Sequence, residues 1–444
     1  MTNVTRIKTD AEQTLEQQIL SPSLAGNPLR AAGRDVFVGK GLPHRRVEEY
    51  KYTDLKALMR KANPVAGETT PQALASVVET LRATARAGEI RLVILDGLFR
   101  ADLSDLAVLP AAVTVTSLRD VLAKGAADTM AVLAGPAIAT DDPVISLNAA
   151  LVSDGVVIEV AAGAMIADAL HLVHIVTSAT PVSLHTRSAV ILGAGASLGL
   201  IESYQSTVPG HQRTDVLNVV VGDGARFEHA VAKSDASAID LATITAVIGA
   251  DAKLQSFALV TAGDVTRRQH FVRMEGNHSV LSLKGANLLN GRMHADTTLV
   301  VEHDSLHCES RELYRSVIDG EAHGVFQGKV IVRPGAQKTD GKMASNALLL
   351  SESAEMHNKP ELEIYADDVA CGHGATCGEI DEGPIFYLMS RGLPRPQAEA
   401  LLIQSFVGEV VDSVGDVALG DHAEALRDGF TSAIEAWLAQ RGAS

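Results

Sequence analysis

The sequence predicts a mainly β protein: a right-handed parallel β-helix (a β-solenoid), flanked by an N-terminal mixed, mainly helical domain and a C-terminal helical domain. The first observation behind this is a short pattern that recurs at a spacing of roughly 30 residues between Ala161 and Ala366. The second is a composition with 46% hydrophobic but only 4% aromatic residues, which favours a thin core of small and branched aliphatic side chains. A chain of 444 residues also exceeds one ordinary compact domain, but not a repeat array.

Each copy of the pattern is an apolar triplet, a turn-forming cluster and a second strand-like run, with no helix between copies. Because one coil cannot bury its own apolar face, such coils must stack on one another. The six-residue period of a left-handed hexapeptide helix is absent. The copies read IEVAAGAMI, VILGAGASL, VVVGDGARF and AVIGADAKL, followed by the weaker VRMEGNHSV, LVVEHDSLH, VIVRPGAQK and EIYADDVAC.

The flanks carry helical patterns, which place the domains at 1–150, 151–383 and 384–444. In the first domain we expect helices over 10–18, 71–86 and 117–124 and a strand over 91–95, with Tyr50 and Tyr52 pinning a connecting segment onto the body. In the last domain we expect a short helix over 385–391 and two amphipathic helices within 395–414 and 421–440, with Asp421 as an N-cap. The apolar stripes predicted for these two helices are Ala398, Leu401, Leu402, Ser405, Phe406 and Val410, and then Leu426, Phe430, Ile434, Trp437 and Leu438.

Charge and composition exclude several classes of partner. A formal net charge of −16 repels nucleic acid and anionic lipid, so we expect no nucleic-acid partner. No apolar run approaches the roughly 18 residues that a membrane span needs, and the first residues lack a secretory signal. Three cysteines are too few for a disulfide framework, and we therefore expect a cytoplasmic protein.

Two motifs resemble functional sites but fit the repeat better. The glycines at 193, 195 and 199 have GxGxxxG spacing with no helix after them, and no GxxxxGK[ST] motif exists, so we expect this chain to bind no nucleotide. His303, His307 and Cys308 lie in a stretch interpreted as a strand, where the two histidines share one face. The glutamate of an HExxH protease motif is missing, which favours ordinary solenoid side chains.

The pair Cys371 and His373 is the stronger candidate for metal ligation. In an extended chain both side chains lie on one face, and thiolate with imidazole suits iron–sulfur clusters, zinc and copper. Two ligands are fewer than the roughly four such a centre takes, so a second chain or exogenous ligands must supply the rest. The spacing alone leaves open a pair that binds no metal, and Cys377 is either a further ligand or a small apolar side chain.

Several segments resemble the SufD family of iron–sulfur cluster assembly scaffolds. The stretch 301–376 resembles that family throughout, from VEHDSLHCESRELYRSVIDGEAHG to DDVACGHGAT, and IFYLMSRGL at 385–393 and GLPHRRVEEYKYTDL at 41–55 also match it. The paralogous SufB family is the one most easily mistaken for SufD, but the CGHG motif and the shorter chain favour SufD.

The resemblance implies a right-handed parallel β-helix in a non-ATPase subunit that pairs with a SufB-like paralogue. SufC-like ATPases would dock on the C-terminal helical domain, and ATP hydrolysis would reside in them. A nascent iron–sulfur cluster, transient and shared with SufB, would form at the interface, with His373 as the first candidate ligand and Cys371 as the second. Cys377 lies outside the family's pattern.

Two other functions stay open at this stage. One is a β-helix carbohydrate-active enzyme of the polysaccharide lyase type, which the absence of an evident acidic cluster at coil spacing disfavours. The other is a structural homodimer without cluster chemistry. The sequence does not choose between a homodimer and a heterodimer.

Overall fold

The computed structural model describes residues 7–21, 27–84, 89–125, 127–139, 141–206, 208–414 and 422–441. The helices in chain order are α1 Asp10–Ile19, α2 Pro28–Lys40, α3 Leu55–Leu58, α4 Pro71–Ala83, α5 Leu118–Lys124, α6 Ala127–Ala134, α7 Pro143–Leu151, α8 Glu382–Ser390, α9 Arg395–Val411 and α10 His422–Arg441. The first strands are β1 Ile90–Leu95, β2 Leu98–Phe99, β3 Val113–Ser117, β4 Val156–Val160, β5 Leu170–Val176, β6 Ser183–Leu192, β7 Ser197–Ser206, β8 Gln212–Val221 and β9 Arg226–Lys233. The remaining strands are β10 Ile239–Ile248, β11 Lys253–Val260, β12 Val265–Met274, β13 Val280–Leu289, β14 His294–His303, β15 Glu309–Ile318, β16 His323–Val332, β17 Asp340–Leu349, β18 Glu355–Ile364 and β19 Ala370–Gly378.

The strands form a parallel β-solenoid of about eight turns, as the sequence predicts. From β4 onward, even-numbered strands join a nine-stranded sheet and odd-numbered strands a ten-stranded sheet. Each strand pairs in parallel with its counterpart one coil away, and β10 matches β8 and β12 along its whole length. Three strands before residue 151 extend the sheets: β1 pairs with β5, and β3 pairs antiparallel with β4. Strand β2 pairs antiparallel with β1.

The predicted turn clusters form one edge of the solenoid, where each even strand passes to the next odd strand. Gly195 has φ +68°, in the left-handed region that glycine tolerates. A Cβ on Gly193 would lie 2.6 Å from the backbone nitrogen of Ala162 in the preceding coil, so stacking also requires its small size. Strand β7 follows at once, which confirms the reading of the GxGxxxG motif as a solenoid corner.

Helices α5, α6 and α7 pack on the outer face of the nine-stranded sheet, whereas α4 packs through Val77 and Leu81 on β1 and β5 of the ten-stranded sheet. Helix α1 begins with a capping box between Thr9 and Glu12, and α4 ends at Ala83, whereas Arg86, the predicted end, lies outside the described residues. Tyr50 pins the connecting segment as expected: its ring is buried, its hydroxyl contacts Asp142 at 2.7 Å, and the guanidinium of Arg267 lies 4.0 Å from its centroid.

The C-terminal helices α9 and α10 pack on the outer face of the ten-stranded sheet. The rings of Phe257 on β11 and Phe430 on α10 lie 5.0 Å apart, and Arg315 on β15 stacks on Phe406 of α9. Phe430, Ile434 and Trp437 are buried, in agreement with the predicted stripe. The predicted N-cap Asp421 lies outside the described residues.

The stripe predicted for α9 is partly wrong. Leu401 and Ser405 are exposed. Three successive apolar residues at 401–403 allow two helical faces, and packing against β13 and β15 selects one of them. The buried residues of α9 are Ala398, Ile403, Val407, Val410 and Val411.

Among the residues described, no helix combines the length and the apolar character that crossing a bilayer requires.

The interior of the solenoid is only half aliphatic, which corrects the expectation of a core of small apolar side chains. An apolar cluster of residues such as Leu254 and Val272 lies towards the eight corners. On the opposite side, buried Arg213 contacts Asp240 at 3.2 Å and Asp235 at 2.8 Å. Buried charges are tolerable only when they are paired in this way.

A second polar group in the interior is built around Glu202 on β7. The ring nitrogens of His229 and His174 lie 3.1 Å and 3.8 Å from its carboxylate oxygens. Burial alone would raise the pKa of Glu202, but hydrogen bonds and charge interactions with these histidines outweigh burial and hold it well below its usual range.

The pKa of Glu312 on β15 is shifted in the opposite direction from that of Glu202. The Glu312 side chain is buried in the interior, and Met343 on β17 is its register partner. Burial raises its pKa to about 8, against the lowering effects of Ser310 and Arg311. The carboxyl group is therefore largely protonated at neutral pH.

We expect Glu312 to make stability depend on pH. The unfolded chain releases this proton near the ordinary value of 4.5, whereas the folded chain keeps it to about pH 8. Between these values the folded state binds more protons, so the free energy of unfolding falls as pH rises through this window. Glu312→Gln stays neutral and should remove this fall. Urea unfolding from about pH 5 to about pH 9 measures it.

The matched control is Glu309→Gln, which neutralises an exposed carboxylate on the same strand. It should keep the wild-type pH dependence. Parallel pH profiles for wild type and Glu312→Gln would contradict a buried, protonated Glu312.

Candidate functional site

The solenoid ends in two sheet edges that have no partner strand within the described ranges. Strand β19 pairs with β17 alone, and β18 pairs with β16 alone. Each edge therefore presents a row of backbone N–H and C=O groups on its open side, which is a template for pairing with another chain. The predicted site residues lie on β19.

Cys371 and His373 share one face of β19, as the sequence predicts. They pair in register with Gly341 and Met343 on β17, both of which are buried. Cys371 is half-buried and packs against the apolar interior cluster, whereas His373 is exposed. The pair therefore faces the space between the two sheets at the open end of the last coil.

The missing side chain of Gly341 leaves a gap behind the Cys371 thiol. A Cβ built on Gly341 would lie 3.6 Å from Cys371 Sγ and 3.5 Å from Ser310 Oγ, on the next strand inward. Ser310 Oγ lies 3.1 Å from Nε2 of the buried His303. The thiol thus lies over a small polar group inside the solenoid.

The electrostatic surroundings keep the Cys371 thiol protonated. Burial raises its pKa above the ordinary value, the carboxyl groups of Asp340 and Glu312 raise it further, and a backbone hydrogen bond at Gly341 lowers it. A thiolate at this position therefore needs a cation nearby. A metal or cluster that binds here displaces the thiol proton.

The opposite sheet supplies polar atoms at the same end. Asn358 on β18 accepts a hydrogen bond of 2.7 Å from Ser345 Oγ on β17, which joins the two sheets across the interior.

Cys377 lies on the same face of β19 as Cys371 and His373, but it is four residues beyond His373, which is about 13 Å along a strand. It is exposed and too distant to share one metal ion with the pair.

Of the other candidate residues, His303 lies behind Cys371 through Ser310, whereas His307 and Cys308 are not brought to this site. The strand interpretation of 303–308 is wrong beyond His303, because β14 ends there and residues 304–308 form a corner. The ring of His307 instead stacks on His278 at 4.8 Å. Cys308 is buried at the corner, where Ser279 Oγ donates to its Sγ at 3.2 Å, and it has a packing role.

Sequence reasoning missed Gly341, Ser310 and Glu312. Gly341 and Ser310 lie in register behind Cys371, and Glu312 lies in register behind Met343 and His373. Counting back one and two coils from Cys371 and His373 at the period of roughly 30 residues reaches these positions. The exact register could not be counted, because the corners differ in length.

Two family models cover most of the chain. The SufBD core domain of the SUF system for FeS cluster assembly matches residues 174–406, and the SufBD protein N-terminal region matches residues 9–172.

Relatives from several bacteria cover much the same region. The iron–sulfur cluster assembly protein SufD of Escherichia coli is 31% identical over 385 residues, covering 85% of this chain and 87% of that protein. An iron–sulfur cluster assembly SufBD family protein of Synechocystis is 28% identical, covering 87% and 86%. SufD of Bacillus subtilis is 27% identical, covering 61% and 62%. These matches confirm the resemblance to SufD, and the chain belongs to the SufBD family of iron–sulfur cluster assembly proteins.

Proposed function

We propose that this protein is a non-ATPase scaffold subunit, which pairs with a SufB-like paralogue and holds a nascent iron–sulfur cluster at their interface. His373 is a cluster ligand and Cys371 the second. The cluster is cargo, bound transiently and shared with the paralogue. The observation that carries the proposal is the juxtaposition at the end of the solenoid of an incomplete ligand pair and two unpaired sheet edges.

One paralogous partner accounts for both the unpaired sheet edges and the incomplete set of ligands. The open edges of β18 and β19 need hydrogen-bond partners, and a β-helical paralogue of similar strand spacing supplies them by β-augmentation. Cys371 and His373 provide two donors where a cluster takes about four, so the paralogue supplies the others. A second copy of this chain also fits the edges, and a homodimer is the alternative assembly.

The C-terminal helical domain is where we propose that a SufC-like ATPase docks. Exposed apolar side chains concentrate there: Phe386 is 75% exposed on α8, and Leu401 is 45% exposed on α9. Tyr387 and Met389 add to this surface. Exposed apolar surface of this kind marks interaction sites.

A short mechanical path connects this docking surface with the cluster site. Arg315 of β15 donates to the backbone oxygen of Phe406 and pairs with Glu409, both on α9. Strand β15 is two strands from β19, about 10 Å at normal strand spacing, and α8 follows β19 directly. Movement of α8 and α9 between nucleotide states of the ATPase would thus reach the edge that carries His373. ATP hydrolysis resides in that partner.

The rival functions have less support. A polysaccharide lyase uses acidic residues in an open groove, whereas Asp240 and Asp235 lie inside the solenoid, where Arg213 and Lys233 pair with them. A homodimer without cluster chemistry gives no role to the ligand pair. Three free cysteines suit a reducing compartment, and we propose the cytoplasm.

We expect His373→Ala to lower the iron and sulfide retained by the complex with the paralogue without dissolving it. The imidazole is exposed, so its loss removes a ligand and little packing. Binding should weaken by roughly tenfold or more. Iron and acid-labile sulfide are measured on complexes purified without oxygen.

Cys377→Ser is the matched control, since it changes another side chain on the same face of β19, and it should retain wild-type iron and sulfide. Equal cluster content in His373→Ala and wild type would remove His373 from the ligand set.

We expect the double variant Phe386→Ala/Leu401→Ala to weaken binding of the SufC-like ATPase. Both side chains are exposed, so the fold should survive, while the interface loses apolar anchors worth roughly tenfold or more in affinity. Surface-immobilised protein and purified ATPase give the dissociation constant. Met165→Ala removes an apolar side chain that is 68% exposed at a solenoid corner, and this variant should bind the ATPase normally. Undiminished binding of the double variant would move the docking site elsewhere.

A further inference from the structure

Three metal-ligating side chains meet on the outer face of the nine-stranded sheet, away from Cys371 and His373. His323 is the first residue of β16, and Glu355, the first residue of β18, is its register partner. His357 lies two residues further along β18 and therefore on the same face as Glu355. Cys371 and His373, by contrast, lie on β19 and face the interior.

The spacing of the donor atoms matches that around a small metal ion. Glu355 Oε2 lies 3.2 Å from His323 Nδ1 and 3.4 Å from His357 Nε2. Ligand atoms of all three residues lie within 4.8 Å of one another. In a tetrahedral site with bonds of 2.0–2.1 Å, neighbouring ligand atoms are about 3.3 Å apart. Two of the three distances between ligand atoms therefore already match those of a tetrahedral site.

The donor set selects the kind of ion. Two imidazoles and one carboxylate suit Zn²⁺ and Fe²⁺, whereas Ca²⁺ and Mg²⁺ prefer oxygen donors alone. Three protein ligands leave a position for water, as in open zinc sites. All three side chains are partly exposed, so an ion can enter without any rearrangement of the fold.

Neighbouring residues fix the orientation of the two imidazoles. The ring of Tyr52 stacks on His357 with centroids 4.9 Å apart. On the other side, the ring of His294 lies 6.3 Å from that of His323, and its Nε2 is 2.9 Å from Thr53 Oγ1. His294 is thus held by the N-terminal segment and packs beside His323, which limits the movement of that ring. Because these imidazole rings are already held in place, binding an ion costs less side-chain entropy.

We propose that His323, Glu355 and His357 bind one first-row divalent cation, Zn²⁺ or Fe²⁺, with solvent in the remaining position. The ion links the first residues of β16 and β18. It also stabilises the contact between β18 and the segment around Tyr52, where Lys359 pairs with Glu48 at 2.6 Å. The opposing explanation is a pair of histidine–carboxylate contacts that need no metal.

The test uses the full chain with the double substitution Cys371→Ser/His373→Ala, so that metal bound at the cluster site is not counted. Metal-free protein is titrated with Zn²⁺ in a calorimeter and with Co²⁺ as a spectroscopic probe. We expect one saturable site and a visible Co²⁺ band of low-symmetry, four- or five-coordinate ligation. A rise in the thermal midpoint with Zn²⁺ should accompany binding.

Three further variants in this background locate the site: His323→Ala, Glu355→Gln and His357→Ala. Each should weaken Zn²⁺ binding by roughly tenfold or more and bleach the Co²⁺ band. His278→Asn is the control, since it removes an imidazole at a corner, where asparagine tolerates the left-handed backbone with φ +59°. Absence of saturable binding, or equal binding by the three variants and the control, would overturn the proposal in favour of ion pairs alone. Neither result bears on His373 as a cluster ligand.

Discussion

The backbone hydrogen bonds between successive coils hold this molecule together, and each coil relies on its neighbours for them. Strands such as β10 are bonded on both sides along their whole length. A ladder of this type has no natural end, so the chain must cover its last strands or offer them to another molecule. At one end the last strands are short: β3 pairs antiparallel with β4, and the two-residue β2 pairs antiparallel with β1. At the other end β18 and β19 have no further partner strand among the described residues, and Cys371 and His373 lie there.

The two outer faces of the solenoid are covered by different parts of the chain. Most of the N-terminal segment packs on the nine-stranded sheet, with Tyr50 over Arg267, while α4 lies on the first strands of the ten-stranded sheet. The C-terminal helices pack further along the ten-stranded sheet through Phe430 and Arg315. Lateral surfaces of the sheets are thus largely occupied, and the coil end remains the surface for a paralogue. This division explains how one scaffold can bind two kinds of partner at once in the function we propose.

The repeat and its corners could be predicted because glycines such as Gly193 and Gly195 recur at most of the sharp turns. The common face of Cys371 and His373 followed from strand alternation alone. The polar interior around Arg213 and Glu202 could not be predicted, because strands buried on both faces do not show which polar residue points inward. Glu355 and His357 lie 32 and 34 positions after His323 in the sequence, and only the strand register brings the three side chains together.

Hydrogen–deuterium exchange along β19, in the isolated chain and in the complex with its paralogue, tests most directly whether the open end of the solenoid is the assembly surface. If it is, backbone amides over residues 370–378 that point away from β17 exchange rapidly in the isolated chain and become protected in the complex. Strand β18 should behave alike. Unchanged exchange on both strands, with protection elsewhere on the molecule, would contradict the account.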